Sequence, residues 1–270
     1  MRRLTILLTA LVTLVVGLPG TSQAAAPLPT SMSAVGDSIT RAYDATLWGC
    51  FLADCPQHSW ATGTSSSVDS HYERLVRMSP GIKGRVWNDA KTGAKMANLA
   101  GQLATVAARD VGYVSVLIGA NDACTSSPST MTPVTTFTDS FRGALRTFTG
   151  TDPQAQIFVS SIPNIYQLWS LLRSRASSTW RTFGICQSML SSSNDEATRQ
   201  FVLQRVKDFN TALATVCAEF TQCRWDALAT FNTAFTTSDV STVDYFHPSL
   251  AGQAKLANAT WPKAVTIWQP

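Results

Sequence analysis

The sequence has few of the residues on which metal sites are usually built. It contains only three histidines and six cysteines in 270 residues, and no two cysteines form a C-x-x-C pair. Zinc sites in proteins draw mostly on clustered histidine and cysteine ligands, so no zinc site is expected. No EF-hand-like run of carboxylates is present either, which removes the usual pattern for bound calcium.

Charge is also sparse. Charged residues make up 14% of the chain, and the formal net charge of +4 falls to +2 without Arg2 and Arg3. The other lysines and arginines form no dense run. The electrostatic footprint of a nucleic-acid-binding protein is therefore missing, and no nucleic-acid partner is expected.

The N-terminal apolar run is too short for a membrane span, which needs roughly 20 apolar residues. It extends from Leu4 to about Gly17, follows Arg2 and Arg3, and precedes the small-residue site Ser22-Gln23-Ala24. This pattern predicts a secretory signal over residues 1–24 and a secreted, extracellular protein with no stable membrane anchor. Residues 25–270 have the length of a single α/β domain.

All six cysteines follow the predicted signal. An even number of cysteines in an exported chain favours three disulfides over metal ligation. Proximity along the chain favours the pairs Cys50–Cys55 and Cys217–Cys223, which leaves Cys124 to pair with Cys186.

Short apolar or β-branched stretches predict strands, and longer segments with helical periodicity predict helices. The predicted strands are Met32–Val35, Arg85–Trp87, Tyr113–Ile118, Ile157–Ile162 and Cys223–Asp226. The predicted helices are Ala94–Ala108, Val134–Phe148, Glu196–Phe220 and Ser249–Ala259. This alternation favours a parallel sheet that is covered on both faces.

A serine follows the first predicted strand in the stretch Gly36-Asp37-Ser38, with a helix expected to begin within Thr40–Tyr43. Ligands of α/β proteins usually bind outside the carboxyl ends of the strands, where this serine would lie. Asp37 is expected to fix the turn through backbone N–H groups rather than to act as an acid.

Near the other end of the chain, Asp244 stands three residues before His247, and Pro248 follows directly. Serine-dependent acyl transfer needs a base for the hydroxyl proton, and imidazole titrates in the useful range. A carboxylate can bond the second ring nitrogen and fix its tautomer. His58 and His71 have no such context, and surface positions are expected for them.

Two further strand ends carry groups that could bind an oxyanion. Asn121, in Gly-Ala-Asn-Asp, could donate a side-chain hydrogen bond, and Gly93 could bring a backbone N–H close to the same oxygen. Asp122 is expected to support the loop that carries Asn121. Plain turns would explain each of these residues equally well when it is taken alone.

In combination, these blocks resemble the four signatures of the SGNH, or GDSL-type, hydrolases. Ser38, Gly93, Asn121 and His247 stand in the family's order, and the resemblance extends from Ser33 to Gly252. With the leader and six cysteines, the chain is most similar to the secreted actinobacterial lipases and esterases of that family. No Gly-x-Ser-x-Gly elbow is present, so the ordinary α/β-hydrolase layout is not supported.

The resemblance implies a flavodoxin-like three-layer α/β/α sandwich with a central parallel sheet. It also implies roles for five residues. Ser38 would be the nucleophile, His247 the general base and acid, and Asp244 the carboxylate that orients it. The backbone N–H groups of Ser38 and Gly93 and the side-chain amide of Asn121 would form the oxyanion hole. Such a mechanism requires no cofactor and no metal.

The expected reaction is hydrolysis of a carboxylic ester, with a small-molecule or lipid ester as substrate and a monomeric enzyme that contacts lipid surfaces only transiently. The segment from Leu168 to Trp180 is either a core helix or an apolar cover over a substrate cleft. An apolar cover favours an acyl-lipid ester, including a phospholipid, as the substrate. A carbohydrate deacetylase of the acetylxylan type is the alternative, since aromatic residues also stack on sugars. A binding protein that has lost catalysis is disfavoured by the intact signature residues.

Overall fold

Five short strands form one parallel sheet at the centre of the molecule. The computed structural model describes residues 25–269, so the predicted signal over residues 1–24 lies outside the described residues. The strands are β1 (Met32–Gly36), β2 (Val86–Asn88), β3 (Tyr113–Leu117), β4 (Gln156–Val159) and β5 (Cys223–Trp225). Their order across the sheet is β2-β1-β3-β4-β5, with every pair parallel. This is the flavodoxin-like order, and it confirms the predicted fold class.

Helices flank the sheet. They are α1 (His71–Met78), α2 (Leu99–Ala107), α3 (Ala120–Ala123), α4 (Val134–Thr151), α5 (Ile165–Thr182), α6 (Gln187–Leu190), α7 (Glu196–Cys217) and α8 (Leu250–Ala264). Helix α4 packs against both α2 and α7. Every residue of β1 and of β3 is buried, as expected for central strands that are covered on both faces. Within residues 25–269, no helix has the length and apolarity needed to cross a membrane.

The structure differs from the predicted elements in several places; helix α2, for example, begins at Leu99 rather than at Ala94. No helix forms at Thr40–Tyr43; the chain makes a series of turns, because Ala42 and Asp44 adopt positive φ angles of 49° and 56° that a helix does not accommodate. Strand β4 ends before Ile162, whose N–H donates to the side chain of Asn210 (2.8 Å) instead of to a strand. Helix α1 was not predicted, since its short sequence is largely polar.

The three disulfides pair as chain proximity favours. Cys50 is bonded to Cys55, Cys124 to Cys186 and Cys217 to Cys223. No cysteine in the described part of the chain is free. The Cys124–Cys186 bond joins the loop that follows α3 to the start of α6.

His71 is not a surface residue, contrary to expectation. Its side chain is fully buried, with Nδ1 3.0 Å from the Tyr113 hydroxyl and Nε2 2.8 Å from Thr260 Oγ1. The Thr260 hydroxyl donates to the Leu256 carbonyl (2.7 Å), so the imidazole donates from Nε2 and accepts from Tyr113 at Nδ1. Burial, with a smaller contribution from Arg74, lowers the pKa of His71 to about 3. Histidine therefore serves here as a neutral bridge in the core.

This burial predicts an acid-sensitive fold. The folded chain keeps His71 neutral down to about pH 3, whereas the unfolded chain protonates it below about 6.5. The free energy of unfolding should therefore fall as the pH drops from 6.5 towards 3, by up to about 1.4 kcal/mol per pH unit from this residue. Urea denaturation at a series of pH values should show that the free energy of unfolding depends less steeply on pH for His71→Gln than for the wild type. Equal slopes for His71→Gln and the wild type would refute this interpretation.

Candidate active site

Ser38, His247 and Asp244 form a continuous hydrogen-bonded chain. His247 Nε2 lies 2.7 Å from Ser38 Oγ, and His247 Nδ1 lies 2.5 Å from Asp244 Oδ2. The serine and the histidine are 209 positions apart in the sequence. The geometry is that of a nucleophile next to a base, with the base oriented by a carboxylate.

The turn after β1 positions the serine. Gly36 has a φ of 145°, and a Cβ there would lie 2.1 Å from the Leu117 carbonyl oxygen on the adjacent strand, so only glycine fits. Asp37 accepts the Ile39 N–H at its Oδ1 (2.9 Å), and the Tyr43 N–H donates to the Ser38 carbonyl (3.0 Å). Asp37 thus fixes the turn, as the sequence predicts. Its burial raises its pKa to about 7, with the Ile39 N–H acting in the opposite direction.

A tight turn before α8 positions the base. Asp244 Oδ1 accepts the N–H groups of Phe246 (2.9 Å) and His247 (3.1 Å), while Oδ2 contacts the imidazole. Burial alone would raise the pKa of Asp244, but the bond from His247, the imidazolium charge and the two N–H groups lower it. The carboxylate is therefore held in its charged form beside the ring.

Gly93 and Asn121 lie together near the Ser38 turn. Asn121 is on α3, and its Nδ2 donates to the Ala94 carbonyl (3.0 Å), directly after Gly93. The Lys91 N–H, from the same loop, donates to the Gly36 carbonyl (3.1 Å). One hydrogen of the Asn121 amide is thus used within the protein, which leaves the second for a ligand. The role of both residues in an oxyanion hole stays a prediction.

Asp122 holds this loop in place. Its Oδ2 accepts the Met96 N–H (2.8 Å), and its Oδ1 accepts the Thr132 hydroxyl (2.7 Å). The carboxylate therefore joins the Gly93 loop to the segment that follows α3. The same segment is fixed by the Cys124–Cys186 disulfide.

Two buried glutamines that the sequence analysis did not single out complete the support. Gln102 on α2 accepts the Gly36 N–H (2.7 Å) and donates to the Gly36 carbonyl (2.9 Å). Gln253 on α8 accepts the Trp60 N–H (2.9 Å) and donates to the Ile39 carbonyl (2.8 Å). Each glutamine thus pins one side of the nucleophile turn to a helix. A polar residue on the apolar face of an amphipathic helix is the sequence signal that could have identified them.

An apolar groove is lined in part by the chain neighbours of the serine and the histidine, although neither Ser38 nor His247 itself lines it. Its apolar lining includes Ile39, Leu168, Leu171, Phe235, Phe246 and Pro248. Ile39 follows the serine directly, and Phe246 and Pro248 flank the histidine. The segment predicted as either core or cover divides between the two roles, because Leu168 and Leu171 line the groove whereas Trp180 is fully buried in the core.

One group of possible metal ligands occurs among residues 25–269. It consists of Asp44, Asp244 and His247, whose ligand atoms lie within 4.8 Å of one another. Two of these three side chains are already bonded to each other. The expectation that the protein uses no metal and no cofactor stays a prediction.

Comparison with known proteins identifies the family. The model of the GDSL-like Lipase/Acylhydrolase family matches residues 34–255. The fold is similar to that of TesA (TM-score 0.55, 16% identity, 88% of this chain and 99% of that chain covered). It is also similar to phospholipase A1 from Streptomyces albidoflavus NA297 (TM-score 0.53, 15% identity, 89% of this chain and 100% of that chain covered). A third similar structure is a family two carbohydrate esterase from Cellvibrio japonicus (TM-score 0.52, 13% identity, 90% of this chain and 63% of that chain covered). No curated protein matches the sequence significantly. At these identities the solved structures support the fold, and the family match supports an ester hydrolase.

Replacement of Asp244 tests whether the carboxylate is needed to orient the histidine. Asp244→Asn places an amide donor where the Nδ1–H needs an acceptor, so kcat should fall by up to roughly 10⁴. Asp244→Ala should also lower kcat, because the ring loses its partner. Steady-state kinetics on a soluble ester, with His247→Ala as the inactive reference, provides the measurement. A loss of less than about tenfold in both Asp244 variants would mean that Ser38 and His247 suffice as a dyad.

Proposed function

Since the chain belongs to the GDSL-like lipase/acylhydrolase family and is a carboxylic ester hydrolase, we propose that it is a secreted serine esterase that cleaves acyl-lipid esters. The observation that carries the proposal is the hydrogen-bonded chain Ser38–His247–Asp244. Ser38 acts as the nucleophile, His247 as the base, and Asp244 as the carboxylate that orients it.

Acylation begins when His247 Nε2 removes the hydroxyl proton and Ser38 Oγ attacks the ester carbonyl. The positive charge that forms on the imidazole is stabilised by Asp244, which already lies 2.5 Å from Nδ1. The imidazolium then gives its proton to the alkoxide leaving group, and the alcohol departs. An acyl group remains on Ser38.

Deacylation repeats the sequence with water as the nucleophile. His247 removes a proton from water, the hydroxide attacks the acyl-enzyme carbonyl, and the proton returns to Ser38 Oγ as the acid leaves. In both steps a negative charge forms on the carbonyl oxygen. The N–H groups of Ser38 and Gly93 and the free hydrogen of the Asn121 amide are the donors that would stabilise it, each contributing roughly 10²–10³ in kcat.

The apolar groove supports an acyl chain as the bound group. Ile39, next to Ser38 in the chain, and Phe246 and Pro248, next to His247, line the groove, and we infer that it holds the acyl chain of a substrate whose carbonyl lies at Ser38. Each methylene that leaves water stabilises binding by about 0.8 kcal/mol. A short acetyl group would leave most of this surface unused.

A second apolar feature, the loop Ala45–Ala53, supports transient contact with a lipid surface. The loop carries no charged residue, and Leu47, Trp48 and Phe51 are 52%, 88% and 60% exposed. The Cys50–Cys55 disulfide constrains the loop. Tryptophan is favoured at membrane interfaces because its ring is apolar and its N–H is polar.

The three disulfides are in keeping with export to an oxidising compartment.

Trp48 also favours a second candidate function. An exposed indole can stack on a sugar ring as well as insert into lipid, and one structure with a similar fold is a carbohydrate esterase. A deacetylase of acetylated polysaccharide is therefore the alternative substrate class.

A substrate panel separates the two classes. The purified enzyme is assayed on p-nitrophenyl esters of increasing chain length, on phosphatidylcholine vesicles and on acetylxylan. We expect kcat/KM to rise from acetate to medium-chain esters, with fatty acid released from the vesicles, because the groove buries additional methylenes. A preference for acetate together with deacetylation of xylan would replace the lipid assignment with the carbohydrate one.

The same panel tests the Ala45–Ala53 loop. Trp48→Ser should lower the hydrolysis of phospholipid in vesicles and the fraction of enzyme that sediments with the vesicles. Its kcat/KM on soluble esters should stay close to that of the wild type. Phe201→Ser, which removes an exposed aromatic from the outer surface of α7, is the matched control and should affect neither. Equal vesicle activity in Trp48→Ser and the wild type would remove this loop from lipid contact.

A further inference from the structure

Asp44 is a fully buried carboxyl group that the mechanism above does not use. It ends the series of turns that begins at the nucleophile, and none of its surface is exposed. Its N–H donates to the Ala53 carbonyl (3.1 Å), and its own carbonyl accepts the Ser241 hydroxyl (2.6 Å). Ser241 in turn donates its N–H to the His247 carbonyl (2.8 Å). The backbone of Asp44 therefore joins the nucleophile turn to the segment that carries the base.

The side chain of Asp44 is only partly satisfied. Its Oδ1 accepts the Leu52 N–H at 2.5 Å. Its Oδ2 is buried and has no hydrogen-bond partner among the described residues. A buried carboxylate oxygen without a donor is costly, whereas a protonated oxygen can donate to a nearby acceptor.

Asp244 offers an acceptor of suitable charge close to Asp44. Carboxyl oxygens of Asp44 and Asp244 and a ring nitrogen of His247 all lie within 4.8 Å of one another. Two buried carboxylates this close do not both ionise readily, so one takes the charge and the other keeps a proton. Asp244 accepts hydrogen bonds from two backbone N–H groups and from the imidazole, which makes it the charged carboxyl group of the pair.

Asp44 is consequently the protonated partner. Burial and, as a smaller cause, the charge of Asp244 raise the pKa of Asp44 to about 6, while the Leu52 N–H and His247 act in the opposite direction. This direction agrees with the imbalance in donors between the two carboxyl groups.

We propose that Asp44 is a positioning residue that donates a proton from its carboxyl group to Asp244, and that its ionisation sets the acid limb of the enzyme's pH profile. In the protonated form it holds Asp244 in place against His247 without adding charge. In the ionised form it adds a second negative charge near the ring, which stabilises the imidazolium and so withholds the neutral base.

The other titratable groups near Asp44 are few. Tyr43, next to it in the chain, has its ring 5.1 Å from that of His247 and its pKa raised by burial and by the neighbouring carboxylates. Asp54, two residues after Leu52 in the chain, is paired with Arg41 at 2.9 Å. Asp37 acts on His247 from the nucleophile turn. Asp44 and Asp244 therefore form a coupled pair beside His247, and their apparent pKa values belong to the pair.

Asp44→Asn removes the ionisable group and keeps the shape of the side chain. The amide keeps an acceptor for the Leu52 N–H and offers a permanent donor to Asp244, but it cannot ionise. We expect kcat at the pH optimum to stay within about threefold of the wild type, and the acid limb of kcat/KM to move to lower pH by about half to one unit. The profile is measured with p-nitrophenyl butyrate, which needs no lipid surface.

Asp54→Asn is the matched control. Asp54 directly follows the same loop, and its carboxylate is paired with Arg41. The acid limb of kcat/KM for Asp54→Asn should coincide with that of the wild type. A folded, active Asp44→Asn enzyme whose acid limb also coincides with the wild type would overturn the proposal and leave Asp44 with a purely structural role.

A measurement on the wild-type enzyme covers the case in which Asp44→Asn fails to fold. With aspartate labelled by ¹³C at the carboxyl carbon, the assigned Asp44 signal should titrate at about pH 6, well above the ordinary range of an aspartate. A signal that stays in its ionised form down to about pH 4 would contradict the proposal.

The proposal rests on the catalytic role proposed for His247, and the two can fail separately. If Ser38→Ala and His247→Ala keep wild-type activity, the proposed function is wrong. If both are inactive while the Asp44→Asn profile does not move, only the role of Asp44 is wrong.

Discussion

The hydrogen bond between Ser38 Oγ and His247 Nε2 is the contact that the fold and its polar core maintain. It joins the turn that follows the first strand of the sheet to a turn near the end of the chain. Parallel strands bring their carboxyl ends to one edge, and the flavodoxin-like order leaves a crevice there between β1 and β3. The fold thus brings together groups that lie far apart in the sequence.

Much of the polar core maintains this contact. Gln102 and Gln253 hold the nucleophile turn on two sides, while Asp244 uses one oxygen for the backbone and the other for the imidazole. Asp122 holds the loop of the predicted oxyanion donors. Buried polar groups with complete partners give a rigid site, because every alternative position leaves a donor or acceptor unpaired.

The sequence predicted the sheet, its parallel direction and the chain positions of the site, because strand and helix periodicity depends on local residues and the signature blocks stand at strand ends. It misplaced His71, whose partners Tyr113 and Thr260 are contributed by β3 and α8. It also did not identify Asp44, since only tertiary packing brings that carboxyl group next to Asp244. Neither residue stands in a motif, and burial by distant elements leaves no local pattern.

The residue that carries the acyl group decides whether Ser38 is the nucleophile. The wild-type enzyme is treated with a fluorophosphonate, and the modified residue is identified by peptide mass spectrometry. We expect a single adduct on Ser38, with both labelling and ester hydrolysis lost in Ser38→Ala. Stoichiometric labelling of another residue, or turnover near the wild-type rate in Ser38→Ala, would rule out Ser38 as the nucleophile.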